Sequence, residues 1–491
     1  MSYLGRKWGF AIESSGAGEV LDAPTAEFNI EVNPDVDETG APLEAVDAEG
    51  NPTIDVVQTE IVEDQAEIEE TADQVEKLED TAEVLEHYAA AIEHRIRTNG
   101  GLTAGEYEFL MIGLESRVKN AGELMPSVES VGRGRLAASR EALDSIKEGI
   151  RKVWETIKRA IQSLYRKVKG WFVKTFDGAE MLRKRAEGVQ KRNDKINGGV
   201  DDKSPIELGK GDGAKLMDKD GKPCFNGTVL ISGLNSLNSL ATLYIKRYTE
   251  DMDDVVDASA KMIQSMVDQA KDVVKNHDAS TSEFSVFKFD VSNTTAKANY
   301  NTSNQFSGKV PAEHHSDTEL KYGSINENNL FGGKTIVAVT GLKKGDPSSL
   351  EDWKKLCAKQ RVQLKPFYLK HKEFNDGGSK VLTLKEISSA CDVIIEICGI
   401  ITDYRKQWYN RERLIDRVQK DIDSAVREVE SDLNDAKVNG VVSKVITAIK
   451  SVGTRMTNEI NDQVAIISYL LSTCKAALVY CTRSQSRYKD N

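Results

Sequence analysis

The strongest pattern in the chain is a helical repeat of large apolar residues over 143–176. These residues recur every three or four positions, which places them on one face of an α-helix. They are Ile146, Ile150, Val153, Trp154, Ile157, Ile161, Leu164, Tyr165, Val168, Trp171, Phe172 and Phe176. Basic residues dominate the other face. The pattern predicts a basic amphipathic helix roughly 45–50 Å long at the usual rise per residue.

Helical periodicity also precedes this stretch. A long helix is predicted over about 56–97, and a shorter one follows it to about residue 119. Thr103 and Glu106 form a capping-box pattern, which predicts the start of the shorter helix. Residues 120–135 contain several glycines and Pro126, so they predict an exposed linker.

Downstream of the basic helix, the pattern predicts a charged helix over 179–195. Loops and a β-hairpin are predicted within 201–233, with Asp220-Gly221 as the turn. A further helix is predicted over 234–275, where apolar residues again recur every three or four positions.

The stretch 283–381 changes to short strands. An alternating run at 285–289 and an apolar run at 336–339 lie between connections rich in Gly and Asn. One helix, over 348–360, is predicted among them. We therefore expect a small α+β insertion at this point in the chain.

Two long helical patterns end the chain, one over 384–438 and the other over 441–483. Asn439-Gly440 is predicted to cap the end of the first helix. The apolar positions of the two helices face each other if the pair closes as a helical hairpin, which we expect to form the main core together with the helices near 143 and 237.

These elements predict a mainly α fold. It consists of a long helical hairpin or bundle, a small α+β insertion and a disordered acidic N-terminal segment. We expect six segments: 1–55, a disordered acidic leader with a docking peptide; 56–129, an acidic helical propeptide-like segment; 130–200, basic amphipathic helices; 201–282, a hairpin and helix; 283–381, the α+β insertion; and 382–491, the long helical hairpin.

Charge is divided unevenly along the chain, whose formal net charge is −12. Residues 13–83 hold one base, Lys77, against 23 acids, a net of −22, and the remainder holds 65 bases against 55 acids, a net of +10. Such asymmetry predicts an interaction tail, or a segment that occupies a basic surface until that surface is needed.

No motif in the sequence supports an enzyme, a metal centre or a cofactor. The run 332–335, GGKT, lacks the first glycine of a phosphate-binding loop, since position 328 is Asn328. Two pairs of cysteines lie seven residues apart on predicted helices, and they are Cys391 with Cys398 and Cys474 with Cys481. Structural zinc sites use tighter spacing, so these cysteines are better explained as buried apolar residues. We expect a non-enzymatic protein without a cofactor.

The residues alone leave two interpretations of the basic helix open. It is either a solvated charged face over a packed core or a face that binds a polyanion. The positive charge extends over 133–192, which holds 17 bases and 7 acids, a net of +10. The candidate polyanion-binding residues are Lys147, Arg151, Lys152, Lys158, Arg159, Arg166, Lys167, Lys169, Lys174, Arg183, Lys184 and Arg185. Four aromatic residues on the apolar side are expected in the core or at an interface and not as platforms for base stacking; they are Trp154, Tyr165, Trp171 and Phe172.

The same amphipathic pattern is also compatible with a helix that inserts at a membrane interface. No apolar run in the sequence reaches the length of a bilayer-spanning helix. The best run, 465–480, is short and contains Lys475. We therefore expect no spanning segment.

Several runs together resemble a known family. A short N-terminal peptide and a long acidic helical segment lead to PSVES at 126–130, followed by WETIKRAI at 154–161, VKGWFVKTFDGA at 168–179 and RKRAEG at 183–188. This layout resembles the internal head proteins of large contractile-tailed bacteriophages, most clearly over about 80–200.

The resemblance implies proteolytic processing. In that family, precursors enter the prohead with its core, and a maturation protease cuts after glutamate in a small-or-aliphatic, any, Glu pattern. Ser127-Val128-Glu129 fits this pattern in the linker, where a protease gains access, so Glu129–Ser130 is the preferred bond. Glu19 and Glu63 are alternatives.

The resemblance further implies a non-enzymatic virion component inside the phage head, made in the host cytoplasm. The implied partners are prohead core or capsid proteins, the maturation protease and packaged DNA bound without sequence specificity. The charge division suggests that an acidic propeptide keeps the basic body off nucleic acid during assembly, and that its removal leaves the basic body next to the genome. The alternative is a membrane-active or host-directed effector that is delivered with the DNA.

Overall fold

The computed structural model of the 491-residue chain describes most of its helical part. The described residues are 54–118, 134–201, 203–217, 226–249, 322–325, 330–339, 361–366, 378–432 and 439–489, with a few positions between 253 and 358. Several predictions fall on other residues: the leader up to residue 53, most of the linker 120–135, the turn Asp220-Gly221 and the strand at 285–289.

Seven α-helices dominate the described part of the chain. They are α1 (Ile54–Asn99), α2 (Ala104–Glu115), α3 (Arg135–Asn193), α4 (Lys210–Leu216), α5 (Gly227–Ala241), α6 (Leu384–Asp432) and α7 (Asn439–Gln485). A π-helical segment, Thr242–Tyr248, continues α5. The predicted mainly α fold is confirmed.

A small antiparallel sheet accompanies the helices. Its strands are β1 (Tyr322–Ile325), β2 (Lys334–Val339) and β3 (Arg361–Pro366), with β2 in the centre. The strand predicted at 336–339 is therefore confirmed, and it begins two residues earlier, at Lys334 within the GGKT run. Trp353 anchors this region to the helices, because its indole N–H donates to the carbonyl oxygen of Ala448 in α7 at 3.0 Å.

The basic helix is longer than the sequence predicted. The two helices expected at 143–176 and 179–195 are one continuous helix, α3, which begins at Arg135. Gly178 does not interrupt it. A Cβ atom at Gly178 would lie 3.1 Å from Ile61 Cδ1 and 3.3 Å from Val57 Cγ1, so this glycine allows α1 to approach α3 closely.

The hairpin predicted within 201–233 is corrected where the structure describes that stretch. Residues 210–216 form α4, and α5 begins at Gly227, seven residues before the helix predicted from 234. The side chain of Asn226 accepts a hydrogen bond from the Val229 N–H at 3.1 Å, which is the N-cap that the prediction missed.

The prediction that Asn439-Gly440 caps the end of the first long C-terminal helix is also wrong. These residues are the first two of α7, and α6 ends earlier, at Asp432. Asn and Gly are preferred at helix N-termini as well as at C-termini, so their presence alone does not distinguish the two.

The chain divides into two compact units, and the boundaries fall within α1 and α3. Among the described residues, unit 1 comprises 67–118 and 134–167, and unit 2 comprises 54–66 and the residues from 168 onward. The six-segment division that the sequence suggested remains a prediction. Residues near 143, which we expected to pack with the C-terminal hairpin, belong to the core of unit 1.

Unit 1 has one apolar core to which α1, α2 and α3 all contribute. Fully buried members of this core are Ile92, Leu102, Tyr107, Leu114 and Ile146. The predicted capping box is present: Thr103 N–H donates to Glu106 Oε2 at 2.9 Å, and Glu106 N–H donates to Thr103 Oγ1 at 3.3 Å. The box satisfies backbone donors that the start of α2 would otherwise leave unpaired.

The core of unit 2 is built around the predicted hairpin of α6 and α7. Its buried apolar positions include Ile415, Val418, Ile449, Val452, Met456, Ile460, Val464, Ile467 and Leu471. The C-terminal half of α3 joins this core through Phe172, whose ring stacks on Trp408 with centroids 3.7 Å apart. The facing apolar surfaces that the sequence predicted for this hairpin are confirmed at these positions, and the predicted positions Ile422 and Val426 are half-buried.

A buried charged cluster lies inside unit 2, where α6 meets α7. Arg411, which is 3% exposed, forms ion pairs with Glu459 and with Asp253, the latter at 3.2 Å. Its guanidinium also donates to Tyr404 Oη and to Gln463 Oε1, both at 3.2 Å. Every hydrogen bond of this cluster compensates for the cost of removing charge from water.

We predict that Arg411→Ala destabilises the protein by about 3–5 kcal/mol, because it leaves the Glu459 carboxylate buried without its ion pair. The free energy of unfolding from urea titration measures the effect. Arg413→Ala is the matched control, since Arg413 is exposed on the same helix, and it should change that free energy by no more than about 0.5 kcal/mol. Equal losses for both variants would contradict a structural role for the cluster.

Candidate polyanion-binding face

All twelve candidate basic residues lie on α3, and the structure separates them into two groups. Seven form ion pairs within the folded chain, and they are Lys147, Arg151, Lys167, Lys169, Lys174, Arg183 and Lys184. The others are Lys152, Lys158, Arg159, Arg166 and Arg185. The polyanion-binding prediction therefore rests on the second group.

Acidic side chains of α1 hold part of the first group. In unit 1, Lys147 Nζ lies 3.0 Å from Glu93 Oε1, and Lys167 Nζ lies 3.0 Å from Glu67 Oε2. These pairs border the apolar contact between α1 and α3. They neutralise bases that the sequence alone presents as free charge.

Lys174 makes the corresponding pairs in unit 2. Its ammonium lies 2.9 Å from Asp64 Oδ2 and 3.2 Å from Glu60 Oε2. The hydrogen bond with Asp64 raises the pKa of Lys174 above its usual value, and the bond with Glu60 adds to the effect. Both ion pairs of Lys174 are therefore with residues of α1.

Lys169 is held by a different helix. Its ammonium lies 2.5 Å from Glu412 Oε1 of α6, and this hydrogen bond raises the pKa of Lys169. Arg183 and Lys184 instead pair with carboxylates of α3 itself, chiefly Glu180. Such exposed pairs within one helix contribute little energy and leave the cations close to solvent.

The five bases of residues 151–166 form what we call the basic face: Arg151, Lys152, Lys158, Arg159 and Arg166, all in unit 1. Four are exposed and Lys158 is half-buried. The stretch 151–166 holds five bases and one acid, Glu155. It extends over roughly 22 Å at the usual helical rise. Positive charge therefore prevails along this part of α3.

Hydrogen bonds within the helix orient two members of the basic face. Arg151 donates to both carboxylate oxygens of Glu148, at 2.9 and 2.8 Å, which lowers the pKa of Glu148. Arg159 Nε donates to the carbonyl oxygen of Glu155. Both arginines remain exposed to solvent, so these bonds do not close the face to a polyanion.

The apolar side of α3 is in the core, as predicted. Trp171 and Phe172 are fully buried, whereas Trp154 and Tyr165 are half-buried. The Trp171 indole N–H donates to the carbonyl oxygen of Ile61 at 3.1 Å. Insertion of this side into a membrane would require α3 to leave both α1 and the core, which disfavours the membrane-active alternative.

One helical segment of the described chain is long and apolar enough to cross a membrane by composition. It is Ile446–Gln485, and 78% of its most apolar window is buried. A core helix of a soluble protein meets the same criterion. Its burial against α6 explains the apolar character that the sequence shows at 465–480.

The candidate processing positions have different surroundings. Glu129, Ser130 and Glu19 lie outside the described residues. Glu63 is exposed but lies within α1, two residues after Ile61, whose carbonyl oxygen accepts the Trp171 hydrogen bond. A helical backbone held in this way is a poor protease substrate.

The five cysteines that the structure describes are all buried, and none of them forms a disulfide bond. Burial raises the pKa of the Cys398 thiol to about 12 and also raises that of Cys474. Among the described residues, no group of three or more His, Cys, Asp or Glu is placed to hold a metal ion. These cysteines therefore serve as buried packing residues.

The sequence reasoning missed the partners of the basic helix. The acids Glu60, Asp64 and Glu67 recur at helical spacing on α1, as do Lys167 and Lys174 on α3. This matched spacing was the available signal. It indicates two oppositely charged helices that pack side by side.

The fold and the charge pattern define a helical structural protein that presents a basic stripe on one long helix. Comparison with family models then identifies the family: residues 63–483 match the model of the phiKZ-like phage internal head proteins. The chain belongs to this family. Comparisons with curated proteins and with solved structures give no match. The protein is therefore a bacteriophage virion component inside the phage head, where it associates with the head or prohead.

We predict that an amine-reactive ester at about pH 8 labels Lys152 faster than Lys174 or Lys169. Lys152 is exposed, whereas carboxylates hold Lys174 and Lys169 and raise their pKa, which lowers the fraction of reactive neutral amine. Peptide mass spectrometry measures the rates. The difference should vanish in denaturant, and equal rates in the folded protein would show that these ion pairs do not persist in solution.

Proposed function

We propose that this internal head protein lies against packaged DNA through the basic face of α3. The observation that carries the proposal is the stripe of Lys152, Arg159 and Arg166. These residues recur every seven positions and are all exposed while α1 is docked. Repeated bases along one helix suit contacts with successive phosphates, which are independent of base sequence.

Local charge favours α3 over the other exposed basic stripe in the described chain. Arg413, Lys420 and Arg427 on α6 have the same spacing and are also exposed. However, Asp416, Asp421 and Asp423 lie among them. The stripe on α3 has only Glu155 as an acidic neighbour in 151–166, so it presents the stronger positive field.

The proposed role is non-enzymatic. The protein would hold its place in the head through contacts with prohead core or capsid proteins and with DNA. The family supports this role, since it is named for a position within the virion. A host-directed or membrane-active role has weaker support, because the apolar side of α3 is packed in the core.

We further propose that the maturation protease cuts the Glu129–Ser130 bond. The alternative at Glu63 is disfavoured because that residue lies within a packed helix. Glu19 matches the same short pattern but is not adjacent to a predicted boundary between folded segments. The linker between α2 and α3 joins two helices, so a cut there breaks neither of them.

We predict that replacing Lys152, Arg159 and Arg166 together with Gln weakens binding to duplex DNA. Each lost phosphate contact should make the slope of log affinity against log salt less steep by about 0.9. The slope of the triple variant should therefore be less steep by up to about 2.7. Fluorescence anisotropy of labelled duplexes at several salt concentrations measures the slope, and two unrelated duplex sequences should give similar affinities.

The control for this experiment is the triple Gln variant at Arg413, Lys420 and Arg427. It removes the same charge at the same seven-residue spacing from α6. Its salt slope should stay close to that of the unaltered protein. Equal losses of DNA affinity in the two variants would mean that only net charge matters. DNA binding that does not respond to salt would reject the proposal.

We predict that intact-mass measurement of this protein from mature particles gives a chain that begins at Ser130. Glu129→Gln should block this product, because it removes the residue after which the protease cuts. Glu63→Gln is the control and should leave processing unchanged. A full-length chain in mature particles would refute processing at either position.

A further inference from the structure

The acidic segment before the linker shares one core with the basic helix. In unit 1, Leu85 and Ile92 of α1 and Tyr107 and Leu114 of α2 are buried in the same cluster as Ile146 and Ile157 of α3. Residues 67–118 therefore have no complete core without 134–167. Removing either part would expose the apolar face of the other to water.

A hydrogen-bonded contact holds the start of α3 against the turn before α2. Arg135 donates from Nε to the carbonyl oxygen of Leu102 at 3.1 Å and from Nη2 to that of Gly101 at 2.9 Å. Leu102 N–H donates to Ser139 Oγ at 2.8 Å. Gly101 has a φ of 118°, and a Cβ there would lie 2.7 Å from the carbonyl oxygen of Arg135, so this close approach requires glycine.

The first part of α1 is held independently within unit 2. Trp171 donates to the carbonyl oxygen of Ile61, and Lys174 pairs with Glu60 and Asp64. Val57 and Ile61 also pack closely over Gly178. The segment 54–118 is thus bound to α3 along both halves of that helix, and none of these contacts involves the linker.

From these contacts we infer that residues 54–118 remain bound to the rest of the protein after the linker is cut. The surface that holds them is the apolar face of α3 with its bordering bases, and the occupant is the chain's own acidic helical segment. A cut at Glu129 then produces a two-chain molecule instead of releasing a propeptide. The inference depends on the proposed function only for the position of the natural cut.

This inference changes the role expected for the acidic segment. We suggested from the sequence that its removal uncovers a basic body. The basic face is already exposed while α1 is docked. Retention of α1 keeps Lys147, Lys167 and Lys174 neutralised, so the cut alters the connection between α2 and α3 and leaves the charge presented to DNA unchanged.

The test uses the full-length chain with residues 122–128 replaced by the recognition sequence of a site-specific protease. After complete cutting, size-exclusion chromatography and native mass spectrometry should find both chains in one particle with the mass of the uncut protein. Denaturing electrophoresis should show two chains. The particle should persist at about 1 M salt, where ion pairs are screened and the apolar core is not. Separation or precipitation of the chains would overturn the inference.

Two variants show whether the shared core is the cause of retention. Ile92→Asp places a charge in the core of unit 1 and should release the segment after cutting, whereas Ile112→Asp alters an exposed apolar residue of α2 and should not. If Ile92→Asp prevents folding before the cut, the cut protein with its native core still decides the question. Release from that protein would be sufficient to reject the inference.

The engineered cut also separates this inference from the proposed function. It does not depend on the maturation protease, so retention can be observed even if the natural chain is never processed at Glu129. As a second readout, the salt slope of DNA binding should be the same before and after cutting. Release of α1 would free three lysines, and the slope would then steepen by up to about 2.7.

Discussion

The contact between α1 and α3 joins an acidic helix to a basic one and contributes to the cores of both compact units. Each helix carries an apolar stripe at a spacing of three and four residues, and neither stripe can be exposed without cost. Full burial of one large apolar side chain contributes about 1.5–3 kcal/mol. The bordering pairs, such as Lys147 with Glu93 and Lys167 with Glu67, are partly exposed and contribute at most about 1 kcal/mol each. The apolar stripe therefore supplies stability, and the charges favour this pairing over one between helices of like charge.

The role of charge in the choice of helix partner explains where the acidic residues lie. Of the 23 acids in 13–83, 12 fall between Asp55 and Glu83, within α1. An acidic helix is the natural partner for a helix as basic as α3, since a basic partner would place like charges along the whole contact. The charge asymmetry of the sequence is thus partly a requirement of folding. It is not by itself evidence for a removable tail.

The sequence predicted the long helices well because their apolar spacing is regular over many turns, as in α1, α3, α6 and α7. The prediction failed where one residue type is compatible with two different local structures. Gly178 resembles a helix breaker but permits close packing with Ile61 and Val57, and Asn439 resembles a helix end but begins α7. The sequence located the candidate bases on predicted helices but did not show which of them form ion pairs. Those pairs depend on carboxylates such as Glu67 and Glu412, which are distant in sequence, and no pattern within α3 alone specifies the contacts.

A protein with a formal charge of −12 can bind a polyanion only through local charge. Exposed charges separated by more than about 8–10 Å are largely screened at physiological ionic strength. Over 151–166 the five bases outnumber the one acid of that stretch, Glu155, and Glu148 pairs with Arg151, whereas Asp416 and Asp421 interrupt the equivalent stripe on α6. Successive members of the α3 stripe are roughly 10.5 Å apart along the helix axis, so in the proposed complex each would act as a nearly independent phosphate contact. The packing of α1 against α3 neutralises Lys147, Lys167 and Lys174. The exposed positive charge near the stripe is therefore concentrated on Lys152, Arg159 and Arg166.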